Sequence, residues 1–157
     1  MRHTIQVLVE NKFGVLARIA SLFSARGYNI DSLAVGETQD PTISCMTIVV
    51  NAEDERILEQ IKKQLHKLID VITVVDLTKK NYIDRELVLV KIGRKEGVEN
   101  LIFSLNSKCL IKVLEEREDC FILEICTDHS SLEEILKELR KPGIKELVRT
   151  GKIAISK

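Results

Sequence analysis

Hydrophobic period switches along this chain in a fixed order, twice over, and that order constrains the fold more than any other feature. Residues 4–10 alternate apolar and polar side chains and are rich in β-branched residues, which predicts a strand. Val15, Leu16, Ile19, Ala20 and Phe23 then recur at helical spacing, and Gly27 supplies a C-terminal stop. Residues 28–35 and 45–50 read as strands around a turn at Asp40-Pro41. A second helix carries Ile57, Leu58, Ile61, Leu65 and Leu68 on one stripe, with Glu59 and Lys63 as an exposed i,i+4 pair. Asn51 is its expected cap and Asp54 its first-turn acid. Residues 71–75 close the unit as a strand, so the order is βαββαβ.

The second half repeats the theme less regularly. Residues 86–92 form a nearly all-apolar strand, expected at the centre of its sheet. Val98, Leu101, Ile102 and Leu105 make the stripe of a shorter helix. Residues 109–114 and 120–127 then flank the charged turn 115–119 as a hairpin, on which Cys109 and Cys126 are expected to lie opposite each other. Ser131 and Glu134 have capping-box spacing ahead of Leu132, Ile135, Leu136 and Leu139. Pro142-Gly143 stops that helix, and residues 144–148 and 152–155 are short strands around Thr150-Gly151. The expected division is residues 1–78, a linker at 79–84, and residues 85–157. Each half is an α+β sandwich of ferredoxin-like type. Two helices cover only one face of such a sheet. With Leu8 and the helices on one side, Ile5, Val7 and Val9 would need cover on the other. At least a dimer is expected.

Composition excludes several functions. The 157 residues hold 24 basic and 24 acidic side chains, and zero net charge argues against a protein that lives on phosphate backbones. Four Phe, two Tyr and no Trp leave too few aromatics for a base-stacking sheet face. No apolar run is long enough to span a bilayer, and Met1-Arg2-His3-Thr4 runs directly into strand pattern without a targeting segment. A cytoplasmic protein is therefore expected. Cys45, Cys109, Cys120 and Cys126 have no C-x-x-C spacing and read as buried free thiols, not metal ligands. His3, His66 and His129 read as solvated surface residues. Asp128-His129-Ser130-Ser131 contains triad residue types, but sequence neighbours rarely form a triad. The turn from Gly93 to Gly97 lacks P-loop spacing. No nucleophile, base or metal set is in place for catalysis.

One segment stands apart: Glu10-Asn11-Lys12-Phe13-Gly14-Val15-Leu16, joining the first strand to the first helix. Gly14 permits close backbone approach at a helix N-terminus, whose N–H groups suit a small carboxylate. The Asn11 amide can address an ammonium or a carboxylate. An ordinary turn and helix start would have the same residues, so the loop is compatible with amino-acid binding without proving it.

These residues resemble a known family. Asn11-x-x-Gly14-Val15-Leu16, followed by Leu22-Phe23-Ser24-x-Arg26-Gly27-Tyr28-Asn29-Ile30-Asp31-Ser32-Leu33, resembles the ACT domain of the acetolactate synthase (acetohydroxyacid synthase) small subunit. Met46-Thr47-Ile48, the 59–68 helix, residues 86–92 and Gly143-Ile144-x-Glu146-x-x-Arg149-Thr150-Gly151 extend the likeness over the whole chain. The resemblance implies a non-catalytic regulatory subunit that pairs with a large thiamine-diphosphate enzyme of branched-chain amino-acid synthesis, raises its activity and confers feedback inhibition by valine. It implies no cofactor in this chain; thiamine diphosphate, Mg and FAD are expected in the catalytic subunit alone. ACT domains of this kind dimerise side by side, with the effector at the interface. By position, Asn11, Gly14, Val15 and Leu16 would line the pocket from one protomer, and Asn29 and Ile30 from its neighbour.

The chain departs from the family pattern in three places. Cys45 stands where an arginine is expected after Ser44, residues 106–112 lack the usual Arg and Asp, and Thr127-Asp128 replaces Thr-Gly. Leucine or isoleucine could serve as effector, since apolar pockets discriminate single methylenes weakly. The competing readings are a stand-alone ACT-type amino-acid sensor and a small enzyme of ferredoxin-like fold.

Overall fold

The structure is a computed structural model, describing residues 2–52, 55–107 and 109–157. The elements are β1 (Arg2–Glu10), α1 (Val15–Ser24), β2 (Ile30–Glu37), β3 (Ile43–Asn51), α2 (Glu55–Leu65) and β4 (Val71–Asp76) in the first half. The second half contains β5 (Tyr82–Gly93), α3 (Val98–Asn106), β6 (Ile111–Glu116), β7 (Cys120–Thr127), α4 (His129–Leu139), β8 (Ile144–Arg149) and β9 (Ile153–Ser156). Two compact units result: the chain up to Tyr82 together with Ala154–Lys157, and Ile83–Ile153. The segment read as a linker enters β5 at Tyr82.

In the first unit the strands run β2-β3-β1-β4, with every recorded pairing antiparallel. Ile5 stands opposite Ile48 and Val7 opposite Met46. These residues and Val9 pack with Val15, Ile19 and Phe23 of α1 and Leu58, Ile61 and Leu65 of α2 into one core. Burying a side chain of this size contributes about 1.5–3 kcal/mol. The expected face assignment for Ile5, Val7 and Val9 is thereby reversed: the odd positions of β1 lie under the helices, where the apolar weight is greatest. Gln6, paired with Thr47, is on the opposite face. There its Nε2 donates to the Ala154 carbonyl at 3.1 Å, and Thr47 and Val49 are buried. The last residues of the chain thus help cover the face expected to be open.

The second unit has the order β6-β7-β5-β8, and β9 also pairs with β5, so β5 is central as expected. Val88, Val90 and Ile92 face Ile125, Leu123 and Phe121 and share a core with α3 and α4. Its apolar run conceals an alternation: Leu89 is exposed, whereas Glu86 on the core parity is only 3% exposed.

Several local expectations shift. Glu59 pairs with Lys62 at i+3, not with Lys63. Asn51 ends β3, and Asp54 lies outside the described residues. Cys109 precedes β6, because Asn106 Oδ1 accepts from the Ile111 N–H at 2.9 Å and delays the strand; Cys126 stands opposite Leu87 instead. Of the four thiols only Cys120 is buried, Cys126 being exposed. His3 is buried, not solvated, since it shares the helix-side parity of Ile5. Among the described residues, no helix is long and apolar enough to cross a membrane.

Candidate functional site

Gly14 caps α1 at φ 82° and ψ −6°, the left-handed conformation that glycine adopts without penalty. A Cβ placed there would lie 3.2 Å from Arg18 Nη1. Arg18 is held in turn by Asp70, its Nε donating to Oδ2 at 2.8 Å. Asn11 is fixed from three sides. Its backbone N–H donates to Thr42 O at 2.7 Å, and its Nδ2 donates to Glu37 Oε1 at 3.1 Å and Pro41 O at 2.9 Å. Both amide hydrogens are thereby used, leaving Oδ1 as the acceptor. The Val15 N–H makes only a long turn bond, 3.4 Å to Lys12 O. Glu37, Arg18 and Asp70 are the residues that sequence reasoning missed here. They lie 26, 7 and 59 positions from Asn11, and no local pattern links them.

The first half, residues 5–73, matches the family model described as AHAS small subunit-like ACT domain, and residues 85–157 match that of the small subunit of acetolactate synthase. The acetolactate synthase small subunit of Mycobacterium leprae is 44% identical over 99% of this chain and 91% of its own length. That of Mycolicibacterium smegmatis is 43% identical over the same shares. The chain belongs to the acetolactate synthase small-subunit family. The crystal structure of the small subunit from Thermotoga maritima superposes with a TM-score of 0.86 at 33% identity, covering 100% of this chain and 98% of that one. The two-domain α+β architecture is therefore the family's own, and its first domain is an ACT domain.

Within one small-subunit chain the six candidate residues form two groups. Asn11, Gly14, Val15 and Leu16 occupy the β1–α1 loop, while Asn29 and Ile30 lie beyond the far end of α1. A ten-residue helix, roughly 15 Å long, separates them. Leu16 is half exposed and available to a ligand, but Val15 is buried in the core and can offer only backbone. Ile30 also packs against that core. Asn29 is exposed, its Nδ2 donating to Asp31 Oδ1 at 2.9 Å.

The departures from the family pattern acquire structural roles. Partial burial pushes the Cys45 thiol above its ordinary pKa, so it stays a neutral, small side chain. Asp128, and not Ser131, caps α4, accepting from the Ser131 N–H at 3.0 Å. The hydroxyls of Ser130 and Ser131 also donate to it, at 2.6 and 2.7 Å. Led by the Ser130 hydroxyl, these bonds hold the Asp128 carboxyl far below the usual carboxylate range. Asp128→Ala should cost about 1 kcal/mol of stability at neutral pH. A depressed folded-state pKa makes this contribution complete above the unfolded value of about 4, and it is lost as pH falls through the folded value. Urea denaturation of both proteins at pH 7 and pH 3 checks it: the gap should narrow at the lower pH.

His129 is half-buried, not solvated. Its Nδ1 lies 3.4 Å from Glu86 Oε2, and its backbone N–H donates to Asp84 Oδ2 at 3.0 Å. Arg149 Nε stands 3.6 Å from Glu86 Oε1, while its Nη1 donates to Glu133 Oε1 at 3.1 Å. The family-like Arg149 therefore neutralises a buried carboxylate of the central strand.

Proposed function

We propose that this chain is the regulatory partner of an acetolactate synthase large catalytic subunit, which it activates and places under feedback control by valine. The observation that carries the reading is the β1–α1 loop: a left-handed glycine at a helix start, beside an asparagine whose amide hydrogens are already engaged. The effector carboxylate would take backbone N–H groups at Gly14 and Val15, displacing the long Val15–Lys12 bond, with Arg18 adding positive charge. Asn11 Oδ1 would accept from the ammonium, and Leu16 would flank the side chain. Valine exceeds alanine by two buried carbons, about 1.6 kcal/mol or roughly 15-fold in affinity.

The separation of Asn29 and Ile30 from the loop supports a pocket shared between protomers. So does β2, an eight-residue edge strand with Val35 exposed, which offers an unpaired ladder to a second copy. A pocket built from two chains lets ligand favour one dimer arrangement, and a coupling of ~1–3 kcal/mol suffices for feedback. In this reading residues 1–78 bind effector and residues 85–157 transmit the response. The complex works in the cytoplasm, and thiamine diphosphate, Mg and FAD reside in the catalytic subunit.

Calorimetric titration of the purified chain with valine, leucine, isoleucine and alanine tests the proposal. Saturable valine binding at one or two sites per dimer, with alanine weaker by about the factor above, is expected. Binding of none of the four would remove the effector role.

A further inference from the structure

Helices α1 and α2 leave between them an open groove of about 450 Å³, bordered by Arg18, Leu22, Arg26, Gln64, Lys67 and Leu68. The chain as a whole is neutral, yet cations concentrate here. From Val15 to Gly27 the sequence has Arg18 and Arg26 and no acid; from Gln60 to Leu68 it has Lys62, Lys63 and Lys67 and no acid. Arg18 is paired with Asp70 and Lys62 with Glu59, whereas Arg26 and Lys67 form no ion pair among the described residues.

Beside the cations lie bare apolar side chains. Phe13 and Ile69 are almost wholly exposed. Their loops belong to the same end of the unit: the Glu10 N–H donates to Asp70 O at 2.9 Å, and Arg18 reaches Asp70 from α1. Ile69 follows Leu68 of the groove wall directly, and Phe13 precedes Gly14, the residue Arg18 overlies. A single exposed apolar residue is ordinary, but two on loops tied to each other, beside a cation-lined groove, have the anatomy of a binding surface: apolar anchors with a charged rim.

We propose that this surface docks the catalytic subunit, through a segment that offers apolar side chains to Phe13 and Ile69 and carboxylates to Arg18, Arg26 and Lys67. The proposal rests on the regulatory-subunit reading above. A polypeptide fits better than a small anion, because the groove is open and its cations are spread; Arg18 and Arg26 are separated by roughly 12 Å of helical rise. The location also supplies a route for control. Phe13 immediately precedes Gly14, so a loop reorganised by effector would change the contacts made with the partner. That is the differential interaction which coupling between two sites requires.

The test uses the full chain and the large catalytic subunit from the same genome. Association is measured by analytical ultracentrifugation and by activation of acetolactate synthesis, at low and high salt. Arg26→Glu/Lys67→Glu and Ile69→Asp should each weaken association roughly tenfold or more, and the wild-type affinity should fall as salt rises. Circular dichroism, solution mass and valine affinity of the isolated variants should match the wild type. Variants that associate as well as the wild type would overturn this surface alone. Variants that lose solution mass would overturn it by showing a second copy seated there. A wild-type chain that neither binds nor activates the large subunit sinks the regulatory reading, and the docking surface with it.

Discussion

Gly14→Asp is expected to abolish measurable valine binding, a loss of roughly 100-fold or ~2.8 kcal/mol. Two effects act together. The residue sits at φ 82°, where any side chain costs about 1–2 kcal/mol of backbone strain, and its new Cβ would press within 3.2 Å of Arg18 Nη1. The added carboxylate would also compete with Asp70 for Arg18 and stand as a like charge beside the ligand carboxylate. Gly14→Ala separates the two effects, since it brings the strain without the charge and should weaken valine binding by a smaller factor. Calorimetry on both variants, with circular dichroism to confirm the fold, measures the difference. Valine affinity within about threefold of wild type in Gly14→Asp would move the effector away from this loop.

The elements and their order were legible because period is a local property. Gly14, Gly27 and Pro142-Gly143 punctuate the helices where a sequence reading puts them, and Gly97 repeats at α3 the φ of 82° that Gly14 has at α1. Parity was harder. Alternation in β1 separates Ile5, Val7 and Val9 from Gln6 and Leu8, but nothing local says which set the helices cover. Capping failed for a related reason: Asp128 and Ser131 are both acceptable caps three residues apart, and the choice depends on where the chain leaves β7. The acceptor Asn106 delays β6 past Cys109, a bond over five positions that no periodicity reports. In the β1–α1 loop, Asn11 and Gly14 stood out through residue type. Glu37, which fixes Asn11, and the Arg18–Asp70 pair beside Gly14 did so only once folding had brought distant segments together. The second unit hid its charge still better, since Glu86 opens an apolar run and its partners lie 43 and 63 residues onward.

Arg149→Ala is the substitution outside the β1–α1 loop with the largest expected cost. Glu86 is 3% exposed on the central strand, and among the described residues Arg149 is the permanent cation within 4 Å of it. Removing the guanidinium leaves a buried carboxylate with His129 as its one remaining ion-pair partner among the described residues, and breaking one partner of such a pair costs about 3 kcal/mol or more. The low end applies, because the Arg149 side chain is itself about a third exposed and keeps one nitrogen on surface Glu133. Glu133→Ala removes that exposed partner alone and should cost less than about 1 kcal/mol. The decisive comparison is Glu86→Leu/Arg149→Leu. If the cost of Arg149→Ala is uncompensated charge, and not lost packing, the doubly apolar protein should recover most of it in denaturant titrations, since a well-packed apolar pair replaces a buried ion pair at little cost. A double variant no more stable than Arg149→Ala would place the role of Arg149 in shape. Recovery would mean instead that the ion pair is kept for something other than stability, in the very unit proposed to transmit the regulatory response.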